Sequence, residues 1–167
     1  MKKPKVKEQK SEKDNEETEK DNFRISIAES KIKKLVEVDN IEELFHILTI
    51  LKDEDIEKFL EHYKGYNFDK KMQEIIKNSN NGSDFIKLVG KSLVGNLKQE
   101  YESIMAEISK KRKKGSDLYM EDIKSMSIPL KIRIFEATLK KEDFYNVKKL
   151  IHEVKNMLEL IGRKETK

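Results

Sequence analysis

After residue 26, the apolar residues of this chain recur at spacings of three and four, and this periodicity constrains the fold more than any other feature. Such spacing places apolar side chains on one face of an α-helix, whereas a half-buried strand requires strict alternation. The longest periodic stretch begins at a cap at Ser83 or Asp84 and ends in a basic block before Gly115. We therefore expect one long helix near 83–113, with a kink or break near Gly90 or Gly95 as the alternative.

Shorter segments on both sides of this stretch show the same periodicity. Asn40 followed by Glu43 is typical of an N-cap with a reciprocating glutamate, and Gly65 is placed to end a helix in the left-handed conformation. The shorter segments lie near 41–51, 53–63, 69–78, 117–125, 129–139 and 143–161. The predicted fold is all-α, an irregular bundle of six or seven helices, one of them long.

The stretch from Ile128 to Ile134 allows two interpretations, because its apolar residues alternate as they do in a strand. In the helical interpretation, Pro129 takes the first helical position, which suits its fixed backbone angle. The only strand partner would be residues 23–27, and a two-stranded ribbon is marginal by itself. We prefer the helix, although this stretch by itself fits either structure.

Residues 1–22 differ in composition from the rest of the chain. They contain seven lysines and seven acidic residues, and only Met1 and Val6 are apolar. Such a segment cannot bury enough apolar surface to offset the entropy lost on ordering. We predict a disordered charged tail over 1–22 and a single α-helical domain over 23–167, which is large enough to form one core.

The composition excludes several classes of protein. No apolar run approaches the ~18 residues of a membrane-spanning helix, so no transmembrane segment is expected. The chain contains no cysteine, which excludes disulfides, a zinc ribbon and a thiol nucleophile. The lysine-rich start continues into further charges, unlike a secretory signal. These features together favour a cytoplasmic protein.

Catalytic and metal-binding spacings are incomplete in this sequence. Gly90 begins a Gly-Lys-Ser triplet, but the phosphate-binding loop needs a glycine five residues earlier, where the chain has Phe85. Glu43 and His46 have the spacing of a helical metal-ligand pair, but no second such pair exists. We therefore predict no catalytic residue, cofactor or metal, and an enzyme with a dispersed acid–base site remains a third alternative.

Five consecutive basic residues close the long predicted helix, and we call residues 110–114 the basic block. Cations near a helix C-terminus interact favourably with the helix dipole, but five in a row exceed what capping needs. An anionic partner would relieve their mutual repulsion. Two further cations lie early in the helix predicted at 129–139. The candidate contact residues for an anionic partner or nucleic acid are Lys110, Lys111, Arg112, Lys113, Lys114, Lys131 and Arg133.

Two functions compete on these grounds. The leading hypothesis is a non-enzymatic helical interaction protein, an adaptor or a subunit of a larger assembly, which contacts a protein partner or itself through amphipathic helices. The missing catalytic spacings, the long helix and a broad apolar stripe over 144–161 favour it. The alternative is a nucleic-acid-binding protein that uses the basic block.

Overall fold

The computed structural model describes residues 27–165, so the tail predicted over 1–22 lies outside the described residues. A helix over residues 27–37, which we call α1, comes first in this range. Seven helices follow: α2 (Ile41–Leu48), α3 (Asp53–Tyr63), α4 (Lys70–Asn78), α5 (Gly82–Lys113), α6 (Tyr119–Met126), α7 (Ile128–Thr138) and α8 (Lys141–Glu165). No strand occurs between residues 27 and 165, and the all-α prediction is confirmed.

The helices predicted from residue 41 onward are all present. α5 runs unbroken through Gly90, which confirms the single long helix. The ambiguous stretch at 128–135 is helical, and Pro129 lies in the first turn of α7, where its missing N–H costs nothing. The N-cap at Asn40 is also confirmed, because its Oδ1 accepts a hydrogen bond of 3.1 Å from the backbone N–H of Glu43.

Three helix ends differ from the sequence predictions. The cap of α5 is Asn81, whose Oδ1 accepts a hydrogen bond of 2.8 Å from the backbone N–H of Asp84, so the helix begins earlier than expected. Gly65 follows α3 without the positive φ that a left-handed stop requires. α8 continues past Gly162 to Glu165. A glycine marks a helix end only where the backbone needs its freedom, and these two positions do not.

The chain divides into two compact units, with the boundary between Phe85 and Ile86 inside α5. In the first unit, aromatic rings form a cluster in which Phe59 stacks on Tyr63 and on Phe85, with ring centroids 4.9 and 6.0 Å apart. Phe68 belongs to the same cluster and is only 7% exposed. The aromatic segment after α3 is therefore held onto the core of its unit, where each buried ring contributes about 1.5–3 kcal/mol.

Gly82 marks a close approach between α5 and α3 within the first unit. A Cβ at this position would lie 3.2 Å from the backbone oxygen of Asp53 and 3.3 Å from the Cβ of Ile56. Both distances are shorter than ordinary van der Waals contact, so a side chain here would require α3 to shift by a few tenths of an ångström. The absence of a side chain lets the start of α5 sit against the start of α3.

In the second unit, α6 and α7 pack against α8 and against each other. The inward faces meet in an apolar core, where the rings of Phe135 and Phe144 lie 5.4 Å apart. The apolar stripe predicted along the last helix is buried along its centre, whereas Leu160, at its edge, is 58% exposed. Its buried members are Phe144, Val147, Ile151, Val154 and Leu158, and those of α7 are Ile128, Ile132 and Phe135. The single domain predicted over 23–167 includes residues outside the described range and stays a prediction.

Ion pairs between helices border this second core. Glu100 of α5 accepts hydrogen bonds of 2.9 Å from Lys148 and 2.8 Å from Lys155, both on α8. Burial by itself raises the pKa of the Glu100 carboxyl. The hydrogen bonds and positive charges of the two lysines lower this pKa by more than burial raises it, so it lies below the ordinary value. Lys124 of α6 likewise donates to Glu153 of α8 at 3.0 Å.

Candidate interaction surfaces

The basic block lies at the end of α5, where the backbone caps itself. Gly115 has φ of 86°, and its N–H donates to the carbonyl of Arg112 at 3.0 Å. The N–H of Ser116 donates to the carbonyl of Lys111 at 3.2 Å. This pair of bonds is the Schellman motif, which satisfies the carbonyls of the last turn. The cationic side chains are therefore not required for hydrogen bonding at this helix end.

The structure divides the basic block into two groups. Arg112 forms an ion pair with Asp122 of α6, in which Nη2 donates to both carboxylate oxygens at 2.6 and 2.5 Å. Lys111 is largely buried, and its Nζ lies 3.9 Å from Glu107. The remaining members are exposed and form no ion pair within the described part of the chain: Lys110, Lys113 and Lys114. Only these three charges are available to an external anion.

A groove of about 420 Å³ runs beside this helix end. Its lining in the described range consists of Ala106, Glu107, Lys110, Lys111 and Lys114. Lys111 lies beside Glu107, and the ammonium groups of Lys110 and Lys114 suit a phosphate or carboxylate group of a partner. The described lining contains no aromatic ring on which a base could stack and no histidine or hydroxyl group for acid–base or nucleophilic chemistry. The groove can therefore hold an anion but offers no group for catalysis.

Lys131 and Arg133 lie on α7 rather than on α5. Lys131 is half-buried, whereas Arg133 is exposed. Within residues 27–165, no hydrogen bond or ion pair joins either side chain to the basic block. The seven cations that the sequence suggested as one contact surface therefore lie in two places, at the end of α5 and on α7, and the pair of Arg112 with Asp122 joins the block to α6.

The orientation of α6 was not anticipated from the sequence. Its buried residues are Glu121 and Ser125, which are 7% and 1% exposed. Its apolar residues face the other way: Met126 is 77% exposed and Ile123 is 47% exposed. On a helical wheel the two sets lie on opposite sides. Next to the buried residues, Asp122 pairs with Arg112 of α5 and Lys124 pairs with Glu153 of α8, so the polar side of this helix faces the rest of its unit.

The outward apolar face continues onto α7. Leu130 and Ile134 are 61% and 44% exposed and lie opposite the buried face of that helix. A single residue, Ser127, separates α6 from α7, so Met126 and Leu130 are one helical turn apart in the chain. We call the whole set the outer strip. It consists of Tyr119, Met120, Ile123, Met126, Leu130 and Ile134.

Comparison with known proteins identifies no relative of this chain. No family model, curated protein or solved structure matches this chain. Within residues 27–165, no three histidine, aspartate or glutamate side chains are grouped so that they could hold a metal ion. None of the helices in that range is both long enough and apolar enough to cross a membrane. The outer strip and the three exposed lysines of the basic block are the two surfaces on which a function can be argued.

Proposed function

We propose that this chain is a non-enzymatic helical interaction protein of the cytoplasm, an adaptor or a subunit of a larger assembly, and that it docks through the outer strip. The orientation of α6 carries this proposal. A helix that buries Glu121 and Ser125 while exposing Ile123 and Met126 gains little from burial in the isolated chain. Adjoining exposed apolar residues are typical of surfaces that bind another macromolecule.

The energetics point the same way. Exposed apolar residues scattered singly are common, but six of them at helical spacing across one junction are unusual for a free surface. Burial of apolar area contributes about 25 cal/mol per Å², so these side chains would stabilise a complex more than they stabilise the isolated fold. Large side chains such as Tyr119 and Met126 are also of the types that interfaces favour.

The test compares two substitutions at similarly exposed positions. Met126 lies in the outer strip and is 77% exposed, whereas Ile50 lies in the first unit and is 66% exposed. The full-length protein and the variants M126D and I50D are purified from the native source at physiological salt, and the mass of each native complex is measured. We expect a stoichiometric complex that M126D loses and I50D retains. Recovery of the unsubstituted protein alone and monomeric would refute the proposal.

A second candidate function, nucleic-acid binding, is favoured by one observation. Lys110, Lys113 and Lys114 are exposed without an ion pair in the described range, beside a groove that suits a phosphate. Each phosphate contact from a lysine contributes about 0.9 to the slope of log affinity against log salt on duplex DNA. Three contacts therefore predict a slope that falls by about 2.7 when all three lysines are replaced.

The matching experiment uses random-sequence duplex DNA and full-length protein. The triple variant K110Q/K113Q/K114Q keeps Arg112 and its pair with Asp122 intact. The control replaces three exposed lysines of the first unit with glutamine, so that the net charge falls equally; these are Lys58, Lys64 and Lys77. If both triple variants bind with the affinity and salt slope of the unsubstituted protein, the basic block is not a nucleic-acid contact.

A further inference from the structure

The charge around the outer strip is strongly one-sided. Residues 110–138 contain eight basic and four acidic residues, an excess of +4 that equals the net charge of the whole chain. Three of the four acids are paired or buried: Asp122 pairs with Arg112, the exposed Glu136 pairs with Lys98 at 3.4 Å, and Glu121 is buried. Three of the cations, Lys111, Arg112 and Lys124, are also paired. The exposed cations without an ion pair in the described range are Lys110, Lys113, Lys114 and Arg133, against one such acid, Asp117.

These cations lie next to the apolar residues. Arg133 is exposed on α7 and lies within one turn of Leu130 and Ile134, on the same side of the helix. At the other end, the pair of Arg112 with Asp122 brings the end of α5 against α6. The outer strip is therefore an apolar surface with Arg133 beside its α7 residues and the basic end of α5 joined to α6, and its complement is an apolar face with acidic flanks.

We infer that the outer strip binds an amphipathic helix with acidic flanks, supplied by another protein; this inference rests on the proposed function. A partner helix with apolar residues at three- and four-residue spacings would cover the exposed faces of α6 and α7. Its Asp and Glu residues would meet Arg133 and the lysines of the basic block. Met120 and Met126 suit such a partner, because their flexible side chains adapt to different helical surfaces.

Two other occupants fit these observations less well. A second copy of the chain would bring two positive surfaces together, and like charges across an interface are unfavourable. An interfacial helix on an anionic lipid surface has tryptophan, phenylalanine or leucine on its apolar side and lysine and arginine on its polar side. The outer strip contains only Leu130 of these apolar residues, and the polar side of α6 carries the acids Glu121 and Asp122. A protein helix satisfies both the apolar and the charged part of the surface.

The inference is tested with a displayed library of helical peptides of about 18 residues, or five turns. The apolar positions are fixed as leucine, and the flanking positions vary among Asp, Glu, Lys, Arg, Ser and Gln. Full-length protein selects from this library, and the consensus peptide is titrated by fluorescence anisotropy against the protein, M126D, R133E and the control I50D. A charge-reversed peptide and phosphatidylserine vesicles are measured in parallel.

We expect selection of acidic flanks and an affinity for the consensus peptide at least about tenfold above that of the charge-reversed peptide. M126D and R133E should each weaken binding by about tenfold, and I50D should leave it unchanged. Selection of neutral or basic flanks, failure to select any peptide, or equal binding by M126D would overturn the inference. Because the side chain at position 126 is exposed, M126D should not disturb the fold. The helical content of this variant, measured by circular dichroism, should therefore match that of the unsubstituted protein.

Failure of the inference and failure of the proposed function give different results. If the outer strip instead joins two copies, the protein is a dimer that M126D makes monomeric; if it binds lipid, vesicle binding is lost in the same variant. Either result overturns the acidic helix as the occupant but keeps the outer strip as a docking surface. If M126D changes neither peptide binding, oligomeric state nor vesicle binding, both the inference and the docking role of the strip fail.

Discussion

The replacement of Glu100 by glutamine tests how far interhelical ion pairs stabilise the second unit. This carboxylate is 27% exposed and accepts hydrogen bonds of 2.9 and 2.8 Å from Lys148 and Lys155. Partly exposed ion pairs contribute about 0.2–1 kcal/mol each, so the two together contribute roughly 0.5–2 kcal/mol. For a protein of this size, that loss corresponds to a decrease in Tm of about 1–8 °C at neutral pH.

The direction of the pKa shift of Glu100 determines how the effect of E100Q on the Tm changes with pH. The folded pKa of Glu100 lies below the ordinary value, near 4.3 for glutamate, because the two lysines stabilise the carboxylate more than burial destabilises it. The stabilisation is therefore fully present above about pH 4.3 and is lost as the pH falls through the lower folded pKa. The Tm difference between E100Q and the unsubstituted protein should shrink as the pH is lowered from about 7 to 2.

Thermal unfolding followed by circular dichroism measures this difference, and E102Q is the matched control. Glu102 is exposed, lies on the same helix, and takes part in no ion pair within the described residues. We expect E102Q to unfold at the same temperature as the unsubstituted protein at every pH. If E100Q and E102Q lower the Tm equally, or if the effect of E100Q persists at about pH 2, the ion pairs do not stabilise the fold in this way.

Three further predictions follow from burial and backbone geometry, and urea unfolding measures each. G95A should stabilise the protein by about 0.5–1 kcal/mol, since a Cβ there meets no atom within 4 Å. G82A should destabilise it by about 1 kcal/mol, since a Cβ there lies close to α3. A variant G82A more stable than G95A would contradict the geometry. N40A should cost about 1 kcal/mol through loss of the N-cap, and no loss would show that the cap bond is weak. M126A should change the free energy of unfolding by less than about 0.5 kcal/mol, whereas I128A should lower it by about 2–5 kcal/mol. If both variants lose a similar amount of stability, Met126 is buried in a core.

Much of the fold can be predicted from the sequence because its two longest helices carry a regular apolar repeat. α5 and α8 repeat their apolar spacing over many turns, so neither depends on the placement of one cap. The helix over 27–37 was not singled out, although its buried residues Ile32 and Val36 have helical spacing. Ser26 and Glu29 have the spacing of a capping box, so the sequence did carry a start signal for a helix here.

The outer strip was not predicted from the sequence for a physical reason. The spacing of Ile123, Met126 and Leu130 shows that they share a face, but it does not show whether that face points inward. That choice depends on tertiary contacts, here the ion pairs that Asp122 and Lys124 make with α5 and α8. The same is true of the basic block, where spacing alone could not reveal that Arg112 is already paired.

The inverted packing of α6 also has a consequence for local opening. Of its residues only Glu121 and Ser125 are buried, so little apolar contact opposes its release from the second unit. Its backbone amides should therefore exchange with deuterium sooner than those of α8 between Phe144 and Leu158, where one face of the helix is buried. A bound partner would cover the outer strip and slow that exchange, so the protection of α6 would report occupancy directly. The helix that contributes least to the isolated fold would then serve as its most sensitive reporter of binding.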